Sequence, residues 1–79
     1  MFIYVNDTII SRDNVKSIYV QDCNVVIRTK SEQHYYYKTD SVQHAKILVE
    51  AIFAFIEENK SICIDAMHEA IKDLVSKGV

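Results

Sequence analysis

The chain has 79 residues, enough for one domain and too few for a deep core. Apolar residues make up 49%, which excludes disorder, and nine basic against eleven acidic side chains give a net charge of −2, which speaks against a polyanion partner. With no proline and a single glycine, Gly78, the chain lacks the loops that cradle phosphates or hold a nucleophile on a tight elbow.

Residues 1–38 read as strands. Phe2-Ile3-Tyr4-Val5 is a short β run and Thr8-Ile9-Ile10 returns from it. Between them Asn6-Asp7 suits a two-residue hairpin loop, because both residues tolerate positive φ. Ser11 to Asn14 is a turn cluster with room for one helical turn. Val15 to Gln21 alternates, with Ile18 and Val20 on one side and Ser17 and Tyr19 on the other. Asp22-Cys23-Asn24 closes a second hairpin, and Val25 to Thr29 follows with Val25 and Ile27 inward, Val26 and Arg28 outward. After the polar loop Lys30 to Gln33, His34 to Lys38 is a last strand built on three tyrosines, which favour strands over helices.

Residues 40–59 then form a first helix. Asp40 is placed to cap it, Gln43 to complete a capping box, and Asn59 to end it in the left-handed conformation. Its centre, Ala45 to Ile56, is apolar over roughly 240° of the helix circumference, about twice what one sheet covers. Val49, Phe53 and Ile56 are the surplus, and burying such a side chain is worth about 1.5–3 kcal/mol. The second helix of the same chain can cover part of this side and a second copy of the chain the rest, so these three residues are the expected interface of a homodimer; the alternative is a monomer in which the second helix folds back over all of it.

Residues 61–77 form a second helix, capped by Ser61 or Asp65, with Gly78 just beyond its end. Its apolar stripe is Cys63, Met67, Ala70, Ile71, Leu74 and Val75, which leaves Asp65, His68, Glu69, Lys72 and Asp73 in solvent. Ser61 to Ile64 fits a short strand equally well.

Chemistry is sparse. Cys23 and Cys63 allow at most one disulfide, and the start MFIYVNDT has neither the basic nor the apolar stretch of a secretory leader. The expectation is a reducing cytoplasm with two free thiols, Cys63 buried and inert. No apolar run reaches the about 20 residues that span a bilayer. His34, His44 and His68 have no partner at the spacing that sets two metal donors on one helix face, and they read as solvated. Asp65, Glu69 and Asp73 read as a solvated acidic strip. No catalytic, cofactor-binding or metal site emerges, so no cofactor is expected.

If the sheet turns Ile3, Ile18, Ile27, Tyr35 and Tyr37 toward the first helix, its opposite face shows Tyr4, Tyr19, Val26, Arg28, Tyr36 and Lys38. Tyr4, Tyr19, Arg28 and Tyr36 are therefore the candidates for an outer contact surface. Such residues anchor protein interfaces, and they also form platforms for single-stranded bases, although two cations are few for a polyanion.

The resulting expectation is a single α+β domain over residues 1–79: a four- or five-stranded antiparallel β-meander followed by two helices, the first packed on one sheet face. The function expected is that of a small non-enzymatic, homodimeric protein-interaction or regulatory module of a bacterial or phage cytoplasm, with another protein as a further partner and no membrane. The alternatives are a single-stranded nucleic-acid binder and an accessory subunit of an enzyme complex.

Overall fold

The Asn6-Asp7 loop sets the first hairpin. In the computed structural model, which describes residues 1–77, these two residues have φ of 47° and 64°, the left-handed pair that a tight two-residue loop requires. β1 (Phe2–Val5) and β2 (Thr8–Ser11) pair antiparallel across it, with Ile3 opposite Ile10 and Tyr4 opposite Ile9. A 3-10 turn at Arg12–Asn14 then carries the chain away from β2.

β3 (Val15–Gln21), β4 (Asn24–Thr29) and β5 (His34–Lys38) form a separate antiparallel sheet in that order. A register shift between Val15 and Ser17 resets the alternation, so that both Val15 and Ile18 reach the core. The first sheet takes its third strand from far along the chain. β6 (Ile62–Cys63) pairs parallel with β1, Ile62 beside Ile3 and Cys63 beside Tyr4, and the Ser61 hydroxyl accepts the Phe2 N–H at 3.3 Å. The class is α+β, with two helices and two three-stranded sheets among the described residues. The single meander expected over residues 1–38 is thus divided. The 3-10 turn separates β2 from β3, and the free edge of β1 is filled by β6 instead.

α1 (Val42–Glu57) starts after Ser41, whose hydroxyl accepts the His44 N–H at 3.1 Å, so Ser41 is the N-cap in place of Asp40. Thr39 accounts for the shift. It is buried, its N–H donates to the Cys23 carbonyl at 2.9 Å, and its hydroxyl lies 2.6 Å from that same oxygen. The chain is pinned to the β3–β4 hairpin there and turns helical only beyond it. At the other end Asn59 has φ of 57°, and the Lys60 N–H reaches back to the Phe55 carbonyl at 3.0 Å, a left-handed helix stop.

α2 (Ile64–Lys77) follows β6 directly, and Ser61 serves β1 and not the helix end. Its inward side chains are Ile64, Met67, His68 and Ile71, while Cys63, Ala70 and Leu74 are exposed. The expected stripe is therefore rotated. Pairing with β1 turns Ile62 inward and Cys63 outward, and Ile64 then sets the phase of the helix with partners three, four and seven residues on. Cys63 is exposed for the same reason and is not the buried thiol expected. Gly78 and the side chain of Val75 lie outside the described residues.

α1 packs on β3 and β4, and α2 packs on α1, β1 and β6. One core runs through both layers, with Ile3, Ile27, Leu48, Ile52, Ile62 and Ile64 fully buried in it. No helix among the described residues is long and apolar enough to cross a membrane.

Candidate functional site

Splitting the sheet redistributes the expected outer face. Tyr19, Arg28 and Tyr36 share the outward side of the second sheet, but Tyr4 belongs to the first sheet. Val26, also on the outward side, is fully buried and not solvent-facing, because Tyr19 and Tyr36 stand opposite it on the flanking strands and close over it. Two cations of this region, Arg28 and Lys16, share one carboxylate, whereas Lys38 at the end of β5 is exposed. Glu32 accepts from Arg28 at 3.1 Å and lies 3.9 Å from Lys16, and Arg28 foremost holds the Glu32 carboxyl below its ordinary range. What remains is a pair of aromatic rings over a valine with little free positive charge.

The first sheet presents a different surface. Its register lines up Ile9, Tyr4 and Cys63 across all three strands, with Phe2 two residues from Tyr4 on the same side. Ile9 is 62% exposed, and Phe2 and Tyr4 are each more than a third exposed. A shallow hollow of about 410 Å³ opens at this row, and Asp7 and Asp65 stand at its rim. The sequence pattern placed Tyr4 outward; it carried no sign that Ile9 and Cys63 would flank it, because that depends on which strands pair.

The expected interface residues of α1 separate. Val49 is 8% exposed and belongs to the chain's own core, so it is withdrawn from a surface role. Ile56 is partly buried against that core, and Phe53 is 46% exposed. Helix α2 is the physical reason: it covers a side of α1 that a lone sheet leaves open.

The third region joins β5, α1 and α2. The Tyr37 hydroxyl lies 2.9 Å from His68 Nδ1, and the His44 and His68 rings are 6.2 Å apart between centroids. His68 is 4% exposed, which corrects its expected solvated position, whereas His34 is exposed as expected. An open cleft of about 500 Å³ lies over this cluster, with Asp40, Asp65 and Lys72 among its walls. Lys72 Nζ is 3.9 Å from Asp40 and 3.5 Å from Glu69. Burial first, then Lys72, keep the His68 imidazole below its ordinary value.

Burial first, then the neighbouring Asp65 carboxylate, raise the Tyr37 phenol from 10.0 to about 12. The unfolded chain therefore gives up this proton before the folded chain does. The stability tied to Tyr37 is complete below pH 10.0 and is lost as pH climbs from there toward about 12. Urea denaturation across this range is expected to show the decline in the wild type and a flatter profile in Tyr37→Phe. Superimposable profiles would refute it.

No family model matches the chain, and no curated protein or solved structure matches it. No group of three or more His, Cys, Asp or Glu side chains among the described residues is arranged to hold a metal ion.

Proposed function

We propose that this protein is a non-enzymatic interaction module. On this reading the outward face of β2-β1-β6 holds an apolar segment of another protein that carries basic residues beside its apolar anchors. The observation that carries this is the exposed row Ile9–Tyr4–Cys63 with Phe2 alongside, opening into a hollow rimmed by Asp7 and Asp65. Aromatic and aliphatic anchors in a shallow hollow supply affinity through burial, and the two rim carboxylates select against an acidic segment. The rim also disfavours a two-fold copy seated on this face, since that would bring four carboxylates together.

The test uses two short peptides, one alternating leucine with lysine and one alternating leucine with glutamate, added to isotope-labelled protein. Amide shifts confined to β1, β2 and β6 are expected with the lysine peptide, and they should vanish in Ile9→Glu. Equal responses to both peptides, or shifts spread over the whole chain, would overturn the proposal.

Self-association is the second reading, and Phe53 favours it, because an exposed phenylalanine on α1 invites a partner helix. Light scattering at tens of micromolar decides it: a dimer that dissociates in Phe53→Asp supports it, and a wild-type monomer removes it. A single-stranded nucleic acid has less support, given that Glu32 already occupies Arg28 and Lys16.

A further inference from the structure

Three elements converge on His68. α2 carries it, β5 brings the Tyr37 hydroxyl to 2.9 Å from Nδ1, and α1 brings the His44 ring to 6.2 Å at an interplanar angle of 66°. The neutral ring fits this setting in either tautomer. With the ring hydrogen on Nε2, Tyr37 donates its O–H to Nδ1; with it on Nδ1, the ring donates to the Tyr37 oxygen and the Tyr37 O–H turns to Asp65. Nε2 is buried and finds no hydrogen-bond partner among the described residues, and the same holds for His44 Nδ1.

A second proton on the ring changes the balance. The imidazolium has two N–H donors and no acceptor: Nδ1–H can reach the Tyr37 oxygen, but Nε2–H is then a buried donor on a charged ring with no partner among the described residues. The surrounding charges give limited relief. Lys72, one turn along α2, and His44 from α1 oppose a positive ring, whereas Asp40 from the segment before α1 and Glu69 on α2 favour it. Both of those carboxylates already lie within 4.0 Å of Lys72 Nζ, which blunts their pull. Asp65 acts on Tyr37, as does Cys63 from β6 more weakly.

α2 rests on few buried side chains among those described. Ile64, Met67, His68 and Ile71 hold it, and Leu74, farther along, is 70% exposed. The strand that leads directly into it, β6, is two residues long. Elements with few buried contacts open first.

We propose that α2 is a pH-gated latch: with neutral His68 it is closed on α1, and a second proton on that ring releases it and bares the apolar side of α1 that it covers. The closed state disfavours the proton, so the open state takes it up first. The closing equilibrium is constant well above the free-imidazole value of 6.5 and weakens as pH falls below it, by at most about tenfold per pH unit, until the closed state protonates as well.

Amide hydrogen exchange, corrected for intrinsic rates, tests this on the intact chain between about pH 7.5 and about pH 5.5. Protection of amides in α2 is expected to drop by roughly tenfold while β3 and β4 hold theirs. His68→Gln keeps an acceptor for Tyr37 and cannot take the proton, so its α2 protection should be flat over this range. Unchanged α2 protection in the wild type, or an equal drop in His68→Gln, would overturn the latch. If that variant does not fold, the His68 ring resonance of the wild type decides. Titration below 6.5 together with the α2 opening supports the latch, and titration at or above 6.5 overturns it.

Discussion

Replacing Ile52 with alanine is expected to remove about 2–5 kcal/mol of stability, measured as a lower urea midpoint at unchanged slope. Ile52 is fully buried in the core that α1 forms with the sheets. The cost has two parts, the lost transfer of the side chain out of water and the cavity left where neighbours relax incompletely. A domain of this length has only about 4–12 kcal/mol in total, so this one change takes a large share of it. A loss below about 1 kcal/mol would mean that the α1 layer is far looser than its burial indicates.

Val26→Asp is expected to be comparably severe, about 4 kcal/mol or more at neutral pH, although Val26 points away from α1. The reason is the cover that Tyr19 and Tyr36 provide from the neighbouring strands. A carboxylate there is cut off from water, and Arg28, two residues along on the same side, is already held by Glu32, so folding raises its pKa. The deficit relative to the wild type should therefore shrink on acidification, as the carboxyl becomes neutral. Urea denaturation at neutral and acid pH reads both effects. A deficit under about 1 kcal/mol at neutral pH would show that the two tyrosines swing aside and leave the position wet.

The strands were legible because each carries its own signal. Alternation marked β3 and β4, the Asn6-Asp7 pair marked the first hairpin, and the tyrosine run marked β5. Pairing was not legible. Nothing local in Ser11 to Asn14 shows that β2 and β3 part company, and a two-residue strand such as β6 is too short to have a period. The phase of α2 failed on one residue. Treating His68 as solvent-facing hid the inward series Ile64, Met67, His68 and Ile71, whose spacing is that of a single helix face. How much of the Val49 side α2 covers was not legible, because helix–helix cover depends on how α2 folds back, which the pattern of α1 alone does not encode.

The two candidate surfaces divide along the same line. Tyr4, Tyr19, Arg28 and Tyr36 were readable as outward, since strand parity determines that much. The Tyr37–His68 contact joins residues 31 positions apart, and the Ile9–Tyr4–Cys63 row depends on two separate strand pairings, so neither leaves a mark in any short window of sequence.

The bond from Phe2 to Ser61 spans 59 positions, and it fixes the order in which a ribosome can deliver the fold. β1 precedes the other elements of this domain, yet the strand that completes its sheet emerges only after all of α1. At about 5–20 residues per second, one edge of β1 waits about 3–12 s for its neighbour. During that interval an open strand edge beside Phe2 and Tyr4 is the stickiest part of the nascent chain, and a holding chaperone or a crowded polysome would meet it there.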